Sequence, residues 1–173
     1  MLEHLKNNLL RGYRTSPLRE IRLSLALTLL FALSALPLGY LGSLYSFQML
    51  DERTACIAFF GLFLFPALLE ESFFRGILIP NNTKQRGTKA ILFVTLLSAT
   101  LFTLWHPLNA LTVNPGAQTL FCDPYFLVIV FCLGIVCSLS YILSRSLWVP
   151  TIIHWLTVVV WVIFLGSRNL LLK

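Results

Sequence analysis

The chain is 173 residues long, 57% hydrophobic and 12% charged, with a formal net charge of +6 and a mean hydropathy of +0.82. So apolar a composition excludes a water-soluble domain of this size, whose surface needs far more polar side chains than this chain carries. What remains is an integral membrane protein, in which the excess of basic residues has to be placed relative to the bilayer.

Residues 1–22, "MLEHLKNNLLRGYRTSPLREIR", carry Lys6, Arg11, Arg14, Arg19 and Arg22, with Leu2, Leu5 and Leu9 at helical spacing. The pattern predicts a basic amphipathic helix at the membrane interface, with His4 on its surface. A cleaved signal peptide does not fit, because the basic leader and the apolar run beginning at Ser24 are both long. Residues 23–173 read as a single transmembrane helical domain. Matching apolar runs to the roughly 20 residues that cross a hydrocarbon core gives spans near 23–45, 55–79, 90–107, 125–144 and 147–166. The expected fold is therefore an all-α integral membrane bundle of about five transmembrane helices, preceded by the interfacial helix.

Orientation follows from the connections. On one side fall the basic residues of the N-terminal segment, Lys84, Arg86 and Lys89 of the 80–89 loop, and Arg145; on the other fall only Arg53, Arg168 and Lys173. The positive-inside rule puts the N-terminus in the cytoplasm, with a bacterial plasma membrane as the default compartment. Because the basic residues sit at helix ends and form no soluble basic domain, the partner they imply is the anionic headgroups of the cytoplasmic leaflet and not nucleic acid. Trp148 and Tyr141 near one face, with Tyr45 and Tyr125 near the other, suit an aromatic belt. Cys56, Cys122, Cys132 and Cys137 show no CxxC spacing and read as packing residues. Gly39 with Ser43, and Gly134 with Ser138, are small residues four apart that let helices approach closely.

The chemistry begins at "LLEESFFRGIL", residues 68–78, which places two glutamates and an arginine inside a membrane span. Each ionisable residue there costs about 2.5 to 3.5 kcal/mol to insert, so the three must be paired or wetted. Glu71 and Arg75 stand four apart with the acid first, the favourable order for an ion pair on one helix face. Glu70 is turned about 100° away and is left without a local partner. One turn earlier, Pro66 has no N–H for the Leu62 carbonyl, which predicts a kink beside Glu70. Two histidines also lie in apolar spans, His106 in "LFTLWHP" and His154 in "VPTIIHWLTVVVW". A sheltered glutamate with two imidazoles can activate water: the carboxylate takes a proton and returns it, while the imidazoles orient the water or stabilise an oxyanion.

These residues resemble the motifs of the CAAX-protease and bacteriocin-processing (CPBP, or Abi) intramembrane proteases. "EESFFR" (Glu70, Glu71, Arg75) is similar to their EExxxR motif and "FTLWH" (Phe102, His106) to their FxxxH motif, in the same order. The resemblance runs from about Phe65 to Trp161 within a protease-like core at about 55–166. It implies an all-helical membrane peptidase acting on a peptide or lipidated protein; members remove the last three residues of prenylated CAAX proteins, process bacteriocins or confer immunity to them. Carried over by position, it makes Glu70 the base that activates water together with His106, Glu71 and Arg75 the supporting pair, and His154 a binder of the oxyanion. The pattern breaks four residues after His154, where the family usually has Asn or Asp and this chain has Val158.

Losing one oxyanion donor typically lowers a rate by about 10² to 10³. Thr151 and Thr157, three residues either side of His154, are the substitutes expected on its face, while the Trp155 indole is turned away. A second reading keeps the fold without activity, as a membrane scaffold or bacteriocin-immunity protein. No cofactor is expected; zinc held by Glu70, His106 and His154 with an open fourth position is the alternative, although no HExxH is present. Counted at about 1.5 Å per residue, Glu70 lies about 14 Å and His154 about 10 Å from the ends of their spans, but His106 about 24 Å from Ala90. Agreement in depth requires the third span to start later, to tilt, or to end or bend at Pro107 beside a cavity.

Overall fold

The computed structural model describes residues 2–16, 18 and 20–166, with only the backbone of 2–5. The side chains of Leu2, His4 and Leu5, and all of Arg19, Arg168 and Lys173, lie outside the described residues. Among the described residues the regular structure is entirely helical. The main helices are α1 (Leu2–Arg14), α2 (Ile21–Leu41), α3 (Glu52–Ile77), α4 (Thr88–Thr112), α5 (Pro124–Ser144) and α6 (Trp148–Phe164). A one-turn helix, Gln118–Phe121, precedes α5. Helices α2 to α5 are each long and apolar enough to cross a membrane, whereas α6 is a shorter apolar helix. The chain is thus an all-α membrane bundle with four full-length spans where the apolar runs predict five.

Helix α3 opens on Asp51, whose Oδ1 accepts from the Thr54 amide at 3.0 Å. It breaks where Pro66 predicts a kink: Phe65 is extended (φ −139, ψ 120) and the helix resumes beyond it. Between Ser72 and Ile77 the turn widens, with the Leu78 amide bonded to the Phe73 carbonyl five residues back. Both irregularities flank the glutamate pair, and widened turns of this kind concentrate at functional sites. Helix α4 departs from expectation, since it continues through Pro107 to Thr112. A proline removes one rung of the ladder, and in a packed membrane helix the rungs on either side and the neighbouring helices carry the chain past it.

Helix α5 forms the centre, with Phe126, Val130, Leu133, Cys137 and Tyr141 all buried. Its Gly134 lets α4 come close: a Cβ there would lie 3.0 Å from the Ala99 Cα. Tyr141 is inside the bundle, donating to Asn81 Oδ1 at 3.0 Å, and so does not belong to an aromatic belt. Its hydroxyl finds a protein partner, which satisfies it without an interface. Helix α1 packs across the start of α6 and the widened turn of α3. The Leu147 amide donates to the Gly12 carbonyl at 3.0 Å, Trp148 Nε1 to the Tyr13 carbonyl at 2.9 Å and Ser146 Oγ to the Thr15 carbonyl at 2.9 Å. The Tyr13 hydroxyl is hydrogen-bonded to Ser72 Oγ, beside the glutamate pair. Lys6, Arg11 and Arg14 remain exposed.

Candidate active site

Three helices deliver the polar residues. The turn of α3 after the Phe65 break presents Glu70 and Glu71, α4 presents Phe102, Trp105 and His106, and α6 presents His154. Glu71 and Arg75 form the ion pair that their spacing predicts, with Arg75 Nη1 3.0 Å from Glu71 Oε1 and neither side chain exposed. The arginine is held twice more: Nη2 donates to the Gly134 carbonyl at 3.1 Å, and the guanidinium lies 4.5 Å from the centre of the Phe102 ring. A buried charge persists only when paired and hydrogen-bonded, and the planar guanidinium satisfies both demands while resting on an aromatic face.

The same Glu71 oxygen takes a second donor, His154 Nδ1, at 2.9 Å. Since a carboxylate can only accept, His154 carries its proton on Nδ1 and turns Nε2 towards Glu70, 3.9 Å from Oε2. Glu70 also has a protein partner: Trp105 Nε1 donates to its Oε1 at 3.0 Å. Its other oxygen, Oε2, is buried and has no hydrogen-bond partner among the described residues. His106 Nδ1 lies 2.9 Å from the Phe102 carbonyl, which fixes that ring's tautomer in the same way and leaves Nε2 free.

A cavity of about 260 Å³ brings these groups together, lined by Glu70, Phe102, Trp105, His106 and His154 and by apolar residues that include Pro66, Phe126, Leu133, Val158 and Trp161. Phe102 stands between the two imidazoles, its ring 5.1 Å from that of His106 and 5.5 Å from that of His154. Phe102 touches both rings, and His106 lies one turn further along α4, about 6 Å at 1.5 Å per residue. Helix α4 starts at Thr88, two residues before Ala90, so the shared wall follows from the cavity's reach and not from a late start.

The two threonines are placed differently from each other. Thr151 is fully buried, is not part of the cavity wall and donates to the Leu147 carbonyl at 2.7 Å. Thr157 reaches the wall, but its hydroxyl donates to the Ile153 carbonyl at 2.8 Å. A helical threonine with no nearer acceptor turns its proton onto the carbonyl four residues back, so neither hydroxyl is free for a substrate. The Trp155 indole is turned away, donating to the Phe59 carbonyl at 2.8 Å.

The donors do not fit a three-ligand zinc set as placed. Zinc needs three protein atoms at about 2.0 to 2.2 Å from one point, and among the described residues no three His, Cys, Asp or Glu side chains are grouped to hold a metal. Nδ1 of His154 is engaged by Glu71 and that of His106 by a main-chain carbonyl, which leaves Nε2 of each ring as the nitrogen that can accept.

Three contributors escape a reading of motifs: Trp105, the Gly134 carbonyl and Asn109, which also lines the cavity. Only Trp105 left a signal, since an indole N–H in a membrane span has to find an acceptor.

The site thus gathers two glutamates and two imidazoles beside one cavity of an all-helical membrane bundle. The family model of type II CAAX prenyl endopeptidases, Rce1-like, matches residues 52–160, well over half of the chain. The chain belongs to that family, whose members are CAAX-type intramembrane proteases. No curated protein and no solved structure matches it.

Proposed function

We propose that this protein hydrolyses a peptide bond of a membrane-bound, lipidated substrate with Glu70 as the base. The observation that carries the proposal is the place of Glu70: it lines a cavity shared with His106 and His154, and its Oε2 is buried without a hydrogen-bond partner among the described residues. A water resting there gives its proton to Glu70 as its oxygen bonds to the scissile carbonyl carbon, and the carbonyl π pair moves onto oxygen. The tetrahedral intermediate then collapses, the C–N bond breaks, and the departing nitrogen takes the proton back from Glu70. His106 Nε2 accepts the second hydrogen of the attacking water and so orients it. His154, clamped by Glu71, turns Nε2 to the oxyanion and donates to it when its ring is protonated. Glu71 and Arg75 hold that ring in place. The N-terminus and the 80–89 loop belong on the cytoplasmic side, of a bacterial plasma membrane by default, with Lys6, Arg11 and Arg14 against anionic headgroups. Nucleic acid is no part of the proposed function.

The test is cleavage of a tagged prenylated peptide by the purified protein in liposomes, with and without a strong chelator. Cleavage that survives chelation is expected. Loss on chelation that zinc restores would replace the glutamate mechanism with the metal one. Absence of cleavage, with a Glu70→Gln variant performing as well as the wild type in a bacteriocin-protection assay, would favour the scaffold or immunity reading, to which Val158 on the cavity wall lends weight.

A further inference from the structure

Among the described residues the cavity wall carries one buried polar side chain that has no hydrogen bond and that this hydrolysis leaves unused. Asn109 follows Phe102, Trp105 and His106 on α4 by seven, four and three residues, so the four share a helix face, and all of them line the cavity. Asn109 is only 8% exposed, and its amide makes no hydrogen bond within the described residues. Other polar residues of these helices turn back on their own backbone: Thr103 to Ala99, Thr157 to Ile153 and Ser138 to Gly134. The amide of Asn109 is left without a protein partner on the cavity wall, where a ligand can supply the complementary group.

The need on the substrate side is for donors, because a bound peptide presents main-chain carbonyls, and the cavity has few. The Trp105 N–H is engaged by Glu70 and the Thr157 hydroxyl by Ile153. Each histidine commits its Nδ1 proton elsewhere, so Nε2 of a neutral ring can only accept. Asn114 also lines the cavity but is exposed, on the loop after α4. The amide of Asn109 is the buried donor that stays free whatever the protonation of the rings. We infer that Asn109 is a substrate-binding residue, its side-chain N–H donating to a main-chain carbonyl of the peptide next to the scissile bond. The inference deepens the hydrolase proposal and rests on it for the identity of the ligand.

The experiment separates binding from turnover. In a Glu70→Gln background, binding of a fluorescent prenylated peptide to the protein in liposomes is compared with and without Asn109→Leu, which keeps the shape and removes the polar atoms; Asn109→Ala is the second variant. Either change should raise Kd about tenfold. In the Glu70 background each should lower kcat/KM by a similar factor, mostly through KM. Peptides with a single ester in place of each amide near the scissile bond provide the readout that a merely structural role would not move. At one ester position the penalty of Asn109→Leu should shrink, because that carbonyl is a weaker acceptor. Unchanged Kd and kcat/KM in either variant, or an equal penalty at every ester position, would overturn the inference and leave the hydrolase proposal standing. Peptide binding that depends on Asn109 without cleavage by the wild type would do the reverse, and no binding at all would overturn both.

Discussion

His154 is clamped by Glu71 at 2.9 Å through Nδ1 while its Nε2 comes within 3.9 Å of Glu70 Oε2. One imidazole therefore links the two glutamates of a single helical turn, and the two acids receive different surroundings. Glu71 has both of its donors on one oxygen and no exposure, so its charge is held by Arg75 and His154. Glu70 lines the cavity and has one oxygen, Oε2, without a hydrogen-bond partner among the described residues. Adjacent residues of one chemical type thus take different places, one paired inside the bundle and one on the cavity wall, according to which way the helix turns them.

Replacing Glu70 by Gln should abolish most cleavage, by about 10² to 10⁴, the usual contribution of a positioned acid–base group. The amide oxygen still accepts from Trp105, so insertion and thermal stability should stay at the wild-type level. Rates on a prenylated peptide beside a melting curve in detergent check both halves, and a Gln variant that cleaves normally removes Glu70 as the base.

Replacing Arg75 by Met acts on the scaffold. It leaves the Glu71 charge buried with His154 alone and removes one of the donors to the Gly134 carbonyl, and breaking a buried pair from one side costs about 3 to 5 kcal/mol. Denaturation of the folded protein in micelles should show a loss of that size. A variant as stable as wild type would mean that the pair contributes little.

Trp105→Phe keeps the aromatic wall and removes the N–H that orients Glu70. The expected effect is a fall in kcat of about tenfold or more, the equivalent of one hydrogen bond to a charged group, with little change in KM. Steady-state kinetics decide it, and a rise in KM alone would make Trp105 a wall of the substrate pocket only.

Thr157→Val is nearly isosteric and should leave cleavage within a factor of about two, because its hydroxyl is bonded to Ile153 and not offered to substrate. A loss of about 10² or more would show that the threonine reorients to act as an oxyanion donor.

The features legible in the sequence were those closed within one helix. Glu71 and Arg75 are four residues apart, so helical periodicity alone makes them neighbours, and Pro66 disturbs the ladder wherever it stands. Pro107 shows the limit of that logic, since the same residue type is carried through in α4 where packing supports the helix. Thr151 and Thr157 show a second limit. Spacing put both on the face of His154, but it could not say that each hydroxyl would settle on its own backbone.

Composition and the lengths of the apolar runs determined that this is a helical membrane protein, because bilayer thickness and helical period act on runs of residues without reference to the rest of the chain; the motifs in their order carried the resemblance to CAAX proteases, which the family match bears out. The partner of each acid was decided only when the helices packed. Trp105 reaches Glu70 across 35 residues and His154 reaches Glu71 across 83. Contacts of that range depend on which face each helix turns inward and how closely Gly134 lets α4 approach α5. Side-chain volume and backbone separation set both, and no local pattern in the chain encodes them.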